Sequence, residues 1–103
     1  MLGRILAFRD DAEQPHAHLV LANGDRIIIL LDRSGVTITE IGAEPKTLFQ
    51  ANPKVVSRLC ASFLNPNELN TAKSLQILVA VVLQLFDAAG VERAFREVAA
   101  KME

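Results

Sequence analysis

His16 and His18 are the only histidines in the chain, two residues apart in His16-Ala17-His18. In a strand, residues i and i+2 share a face, so both imidazoles would project the same way, as a strand-borne metal pair requires. Imidazole is also well suited to proton transfer near neutral pH. A metal site needs at least a third donor, and Asp10, Asp11 and Glu13 stand in the adjoining polar stretch Arg9 to Pro15. No acid or cysteine sits at a motif-like spacing from the pair, however. The plainer reading is two edge-of-sheet histidines, or a pair inside a symmetric interface. His16 and His18 are the candidates for catalysis, and His16, His18 and Asp11 the candidates for metal ligation.

Cys60 is the single cysteine. A nucleophilic thiol needs an electropositive, partly exposed setting and a base, which His16 or His18 would have to supply. Its position on an apolar stripe with Val56 and Leu59 favours a small core hydrophobe instead. Gln76 and Gln84 lie eight apart on one helical face, where hydrogen bonding across a twofold axis explains them more simply than a polar cavity. No GxGxxG, GxxxxGK[ST], GxSxG or HExxH pattern is present, so no cofactor is expected and the chain leans away from enzymes.

The elements that would position these residues are strands first and helices after. Leu2 to Phe8 reads as a strand. Ala17 to Ala22 and Asp25 to Leu31 read as a hairpin about Asn23-Gly24, taken as a two-residue turn that pairs Leu19 with Ile28 and Val20 with Ile27. A turn at Asp32-Arg33-Ser34-Gly35 leads into Val36 to Ile41. This register makes both faces of the sheet apolar, one with Leu19, Leu21, Ile28 and Leu30, the other with Val20, Ile27, Ile29 and Leu31 beside the histidines. Pro45 is expected to open a short helical turn carrying Leu48 and Phe49 inward.

Three helices are expected in the second half. Asn52-Pro53 starts one running to about Leu64, with Val56, Leu59, Cys60 and Phe63 inward. Asn65-Pro66 starts a second, from about Pro66 to Ala89, that includes the apolar run Leu75 to Phe86 and stops before Gly90. The last, from about Val91, carries Val91, Phe95, Val98 and Met102 on one stripe. The expected fold is therefore α+β: an antiparallel meander of about four strands over residues 1–42, then a helical part over 43–103, in a single domain with the helix of 66–89 central and buried.

Composition narrows the function classes. Eleven basic and twelve acidic residues give a formal net charge of −1 without a basic run, which argues against nucleic acid as a partner. There is no Trp or Tyr to stack on bases. The longest apolar run is too short to span a bilayer, so no membrane association is expected. A lone cysteine and the lack of a signal-peptide pattern in the first residues fit the cytoplasm. The leading expectation is a small, soluble, non-catalytic binding or scaffold module acting as a homodimer, because a chain of this size struggles to cover two apolar sheet faces and an apolar helix. The alternatives are a small-ligand or metal-dependent enzyme using His16 and His18, and a subunit of a larger hetero-assembly.

Overall fold

The hairpin at Asn23-Gly24 decides how the sheet is read. In the computed structural model Gly24 N–H donates to the Leu21 carbonyl at 2.9 Å and Leu21 N–H to the Asp25 carbonyl at 2.8 Å. Gly24 has φ +96 while Asn23 stays out of the left-handed region. This is a four-residue turn closed by a glycine bulge, not a two-residue turn. The Asn23 side chain explains the choice, since its Oδ1 accepts from Asp25 N–H and its Nδ2 donates to Asp25 Oδ2.

The consequence is a shift of one residue. Leu19 pairs with Ile27, His18 with Ile28 and Val20 with Arg26. Such a slip exchanges faces along a whole strand. The expected division of the apolar residues is corrected accordingly. Leu19, Leu21, Ile27, Ile29, Leu31, Val36 and Ile38 share the inner face, at 5% exposure or less. Ile28 and Leu30 join the histidines on the outer one.

The structure describes residues 2–11, 13–68 and 70–102, without the side chains of Pro66 and Met102, so the expected inward position of Met102 lies outside the described residues. Five strands, β1 (Arg4–Arg9), β2 (His16–Val20), β3 (Arg26–Asp32), β4 (Gly35–Ile41) and β5 (Lys46–Ala51), form one antiparallel sheet in chain order. The helices α1 (Pro53–Ala61), α2 (Thr71–Leu83) and α3 (Ala88–Met102) follow. The class is α+β, as expected, with one strand more. Leu48 and Phe49 do point inward, but from β5 and not from a helical turn.

Two bulges adjust the edges. One at Leu6 in β1 turns Phe8 and Ile5, the latter still 48% exposed, to the inner face and Arg4, Ala7 and Arg9 to the outer one, where strict alternation would put Arg4 and Phe8 on the same side. The other, in β5, lets adjacent Leu48 and Phe49 both reach the core. Bulges and charged side chains at sheet edges discourage pairing with further strands. At Gly35, φ is +123, and a Cβ there would collide with the Ala51 carbonyl oxygen. Glycine is what allows β4 to start against the end of β5.

All three helices lie on the inner face, α2 over β2 and β3, α1 over β4 and α3 over β5. Asn52 caps α1, its Oδ1 accepting from Val55 N–H at 3.0 Å. The matching Asn65-Pro66 produces only a 3-10 turn, Pro66–Glu68, and the helix restarts at α2 under its own cap, Asn70 Oδ1 on Lys73 N–H at 2.8 Å. The long central helix is thus shorter at both ends than expected. Its far end is at Leu83, and Gly90 lies inside α3. Gly90 lacks the positive φ of a helix-ending glycine. Two carboxylates instead set the start of α3: Asp87 Oδ1 accepts from Gly90 N–H at 2.6 Å, and Asp25 Oδ2 from Ala88 N–H at 2.9 Å. Both offset the positive end of the helix dipole, and Asp25 ties the β2–β3 turn to it. Phe49 and Phe95 meet at 5.1 Å between ring centroids beneath α3.

Candidate functional site

With the helices on one side, the other side of the sheet is uncovered by them. Cross-strand pairing arranges it in three rows. Arg4, Val20, Arg26 and Ile41 form the first. Ala7, His18, Ile28, Thr39 and Thr47 form the second, and Arg9, His16, Leu30, Thr37 and Gln50 the third. Val20, Ile28, Leu30 and Ile41 are half-buried by their neighbours. Arg4, Arg9 and Arg26 are exposed. These three rows contain no aspartate or glutamate; Asp32, paired with Gly35 beyond the third row, has its carboxylate engaged by the Ser34 amide and hydroxyl. Among the described residues none of these three arginines joins an ion pair, whereas Lys46 and Arg96 on the helical side both bind Glu92, at 3.0 and 2.8 Å. Those two cations hold the Glu92 carboxyl below its usual value, the hydrogen bond from Lys46 first.

His16 and His18 do share this face, as their spacing implied. His16 Nδ1–H donates to the Gln14 carbonyl at 2.9 Å. The Nε2 of His18 is enclosed and meets no hydrogen-bonding partner among the described residues. An enclosed polar atom left unpaired costs about 1–3 kcal/mol. The acids of the β1–β2 loop go elsewhere: Asp10 and Glu13 line a hollow of about 480 Å³ with Asp32, Arg33 and Thr71. Asp11 is exposed. Hydrogen bonds from the Ser34 hydroxyl and amide hold Asp32 below the usual carboxylate range. Among the described residues no three His, Cys, Asp or Glu side chains are grouped to hold a metal ion.

Cys60 is fully buried on the helical side, its Sγ 4.0 Å from the Ser74 carbonyl, and burial pushes its thiol up. The sheet separates it from the histidines, so the Cys–His pairing that nucleophilic catalysis would need does not form. Gln76 and Gln84 are both exposed. Phe63 differs from expectation: α1 ends at Ala61, so Phe63 leaves the apolar stripe and is 62% exposed. It borders an apolar hollow of about 240 Å³ whose walls include Leu59, Val81, Phe95 and Val98. No described helix is long and apolar enough to cross a membrane.

Sequence reasoning missed the arginines of the open face. Simple alternation misplaced Arg4, Arg9 was read as the start of the polar stretch to Pro15 and not as part of β1, and the assumed register put Arg26 on the face of Leu19 and Leu21. A charge on that otherwise apolar face was the available signal that the register was off by one. Comparison with protein-family models, curated proteins and solved structures finds no match, and the functional reading rests on this chain's own residues.

Proposed function

We propose that this chain is a non-catalytic protein-binding module whose working surface is the open face of the sheet. The observation that carries the reading is the one-sided placement of α1, α2 and α3, which leaves a band of Val20, Ile28, Leu30 and Ile41 without a covering layer. Apolar side chains ringed by polar and charged ones on a rigid sheet are the usual make-up of an interaction surface. The dispersal of His, Cys and acidic groups over both sides of the sheet supports binding over catalysis.

Site-specific photo-crosslinking in cells tests this. A crosslinker at Thr39, on the open face, is expected to give a discrete adduct, while one at Lys54, on exposed α1, gives none. Adducts from position 54 alone, or from neither position, would refute the reading.

Self-association is the second reading, and the observation favouring it lies on the helical side. Exposed Phe63 stands beside the apolar hollow, so one patch supplies both a knob and a hole, as a twofold contact between identical chains requires. Sedimentation at rising concentration should show a dimer that Phe63→Ser abolishes. A monomer throughout the range would remove this reading and leave the first in place.

A further inference from the structure

We infer that the partner taken by the open face is a carboxylate-rich protein segment lying in extended form across β1, β2 and β3. The inference rests on the reading of that face as the working surface and names the chemistry of what it takes.

The argument begins with charge. The chain as a whole carries slightly more acid than base, 12 to 11. On the open face this balance is broken: its three rows carry Arg4, Arg9 and Arg26 and no acid, and Asp32, which follows Leu30 in the β3 alternation beyond the third row, has its carboxylate engaged by Ser34. All three are exposed and, among the described residues, without an ion-pair partner. Arginine is also the cation whose planar fork matches a carboxylate with two parallel hydrogen bonds.

Spacing adds a second constraint. Arg4 and Arg26 flank Val20 in one row, two strand spacings or roughly 10 Å apart. Arg9 stands in the third row, roughly 15 Å along β1 from Arg4. Val20, Ile28 and Leu30 fill the ground between them. An extended chain rises about 3.3 Å per residue, so carboxylates four residues apart span about 13 Å. A segment with an acid, an apolar residue and an acid at alternate positions places both charges on guanidinium groups and its apolar side chain on the Val20–Ile28 strip. A nucleic acid fits less well, since the face offers no Phe, Tyr or Trp ring to its bases and only three arginines to its phosphates. A second copy of the chain would bring another all-cationic face.

The test is a titration of the ¹⁵N-labelled full chain with a synthetic peptide repeating Glu-Ser-Val-Ser-Glu, followed by amide shifts. Binding is expected, with shifts confined to β1–β3. Affinity should fall about tenfold on replacing the buffer with one of high ionic strength. The variant Arg4→Gln/Arg9→Gln/Arg26→Gln should lose at least about tenfold while keeping its circular dichroism, since these side chains are exposed. Arg93→Gln on α3 should bind as wild type. No shifts at millimolar peptide, equal binding by a peptide with Lys in place of Glu, tighter binding of a single-stranded oligonucleotide, or the same shifts appearing on self-association would each overturn the inference. A Thr39 adduct with no peptide binding leaves the working surface standing and removes the acidic partner; no adduct at Thr39 removes both.

Discussion

Replacing Ile29 by alanine and, separately, Ile28 by alanine makes the same chemical change at adjacent positions of β3. The unfolded chains are nearly equivalent, so the difference between the two variants reports the folded state. Ile29 is 0% exposed, on the inner face between Ala17 and Ile38. Its truncation loses about 2.4 kcal/mol from three buried carbon groups, and the residual cavity raises the cost to about 3–4 kcal/mol. Ile28 is half-buried on the open face, where solvent refills the space, and about 1 kcal/mol is expected. The gap of about 2–3 kcal/mol corresponds to about 8–24 °C in Tm for a chain of this size, or about 1–3 M in urea midpoint. Urea titration by far-UV circular dichroism is the assay, since the chain has no Trp or Tyr for fluorescence. Equal costs, or a larger one at Ile28, would refute the register on which the open face depends. Repeating the titration at higher protein concentration adds a control. If a second copy covered the open face, the cost of Ile28→Ala would rise with concentration.

Gly35→Ala should destabilise more than Gly24→Ala, because both glycines have positive φ but only at Gly35 would a Cβ strike backbone; about 1–2 kcal/mol is expected at Gly24 and more at Gly35, read by thermal melts. Asp25→Ala removes the carboxylate that caps Ala88 N–H and braces Asn23, and should cost about 1–2 kcal/mol, with amide exchange quickened at the start of α3. Cys60 should stay unreactive to a thiol reagent in the native chain and react on unfolding; prompt native reaction would contradict its buried position. Because burial raises the Cys60 thiol above its ordinary value, the unfolded state ionises first, so stability should fall as pH rises through that ordinary value, and Cys60→Ala should remove this dependence. Glu92 acts at the opposite end of the scale: its lowered carboxyl adds stability at neutral pH that is lost as pH falls below the ordinary glutamate value, and Glu92→Gln should flatten that part of an acid titration.

Much of the architecture was legible in local chemistry. Asn52-Pro53 starts α1 because an asparagine cap and a proline at the first helical position act within a few residues. The apolar run around Leu75 to Val82 became the helix over the sheet centre because burial of such a run is needed in any fold. The shared face of His16 and His18, and the burial of Cys60, followed from strand and helix periodicity alone.

What the tertiary structure decided were the competitions between local signals of similar strength. Asn23-Gly24 suits two turns that differ by one residue, and the bonds between Asn23 and Asp25 select the longer one, which moves Ile28 and Leu30 to the open side. Asn65-Pro66 and Asn70 both offer a helix start, and the second carries the helix. Gly90 offers a stop, but Asp87 from the same segment and Asp25 from 63 positions earlier cap a helix that runs through it. The basic open face is the clearest case. Arg4, Arg9 and Arg26 come from two strands, and they share one surface only through a bulge in β1 and the register of β2 on β3. Those are long-range features: each local segment is nearly indifferent between the alternatives, and the burial of Ile27, Ile29 and Leu31 under α2 is the physical reason one of them wins.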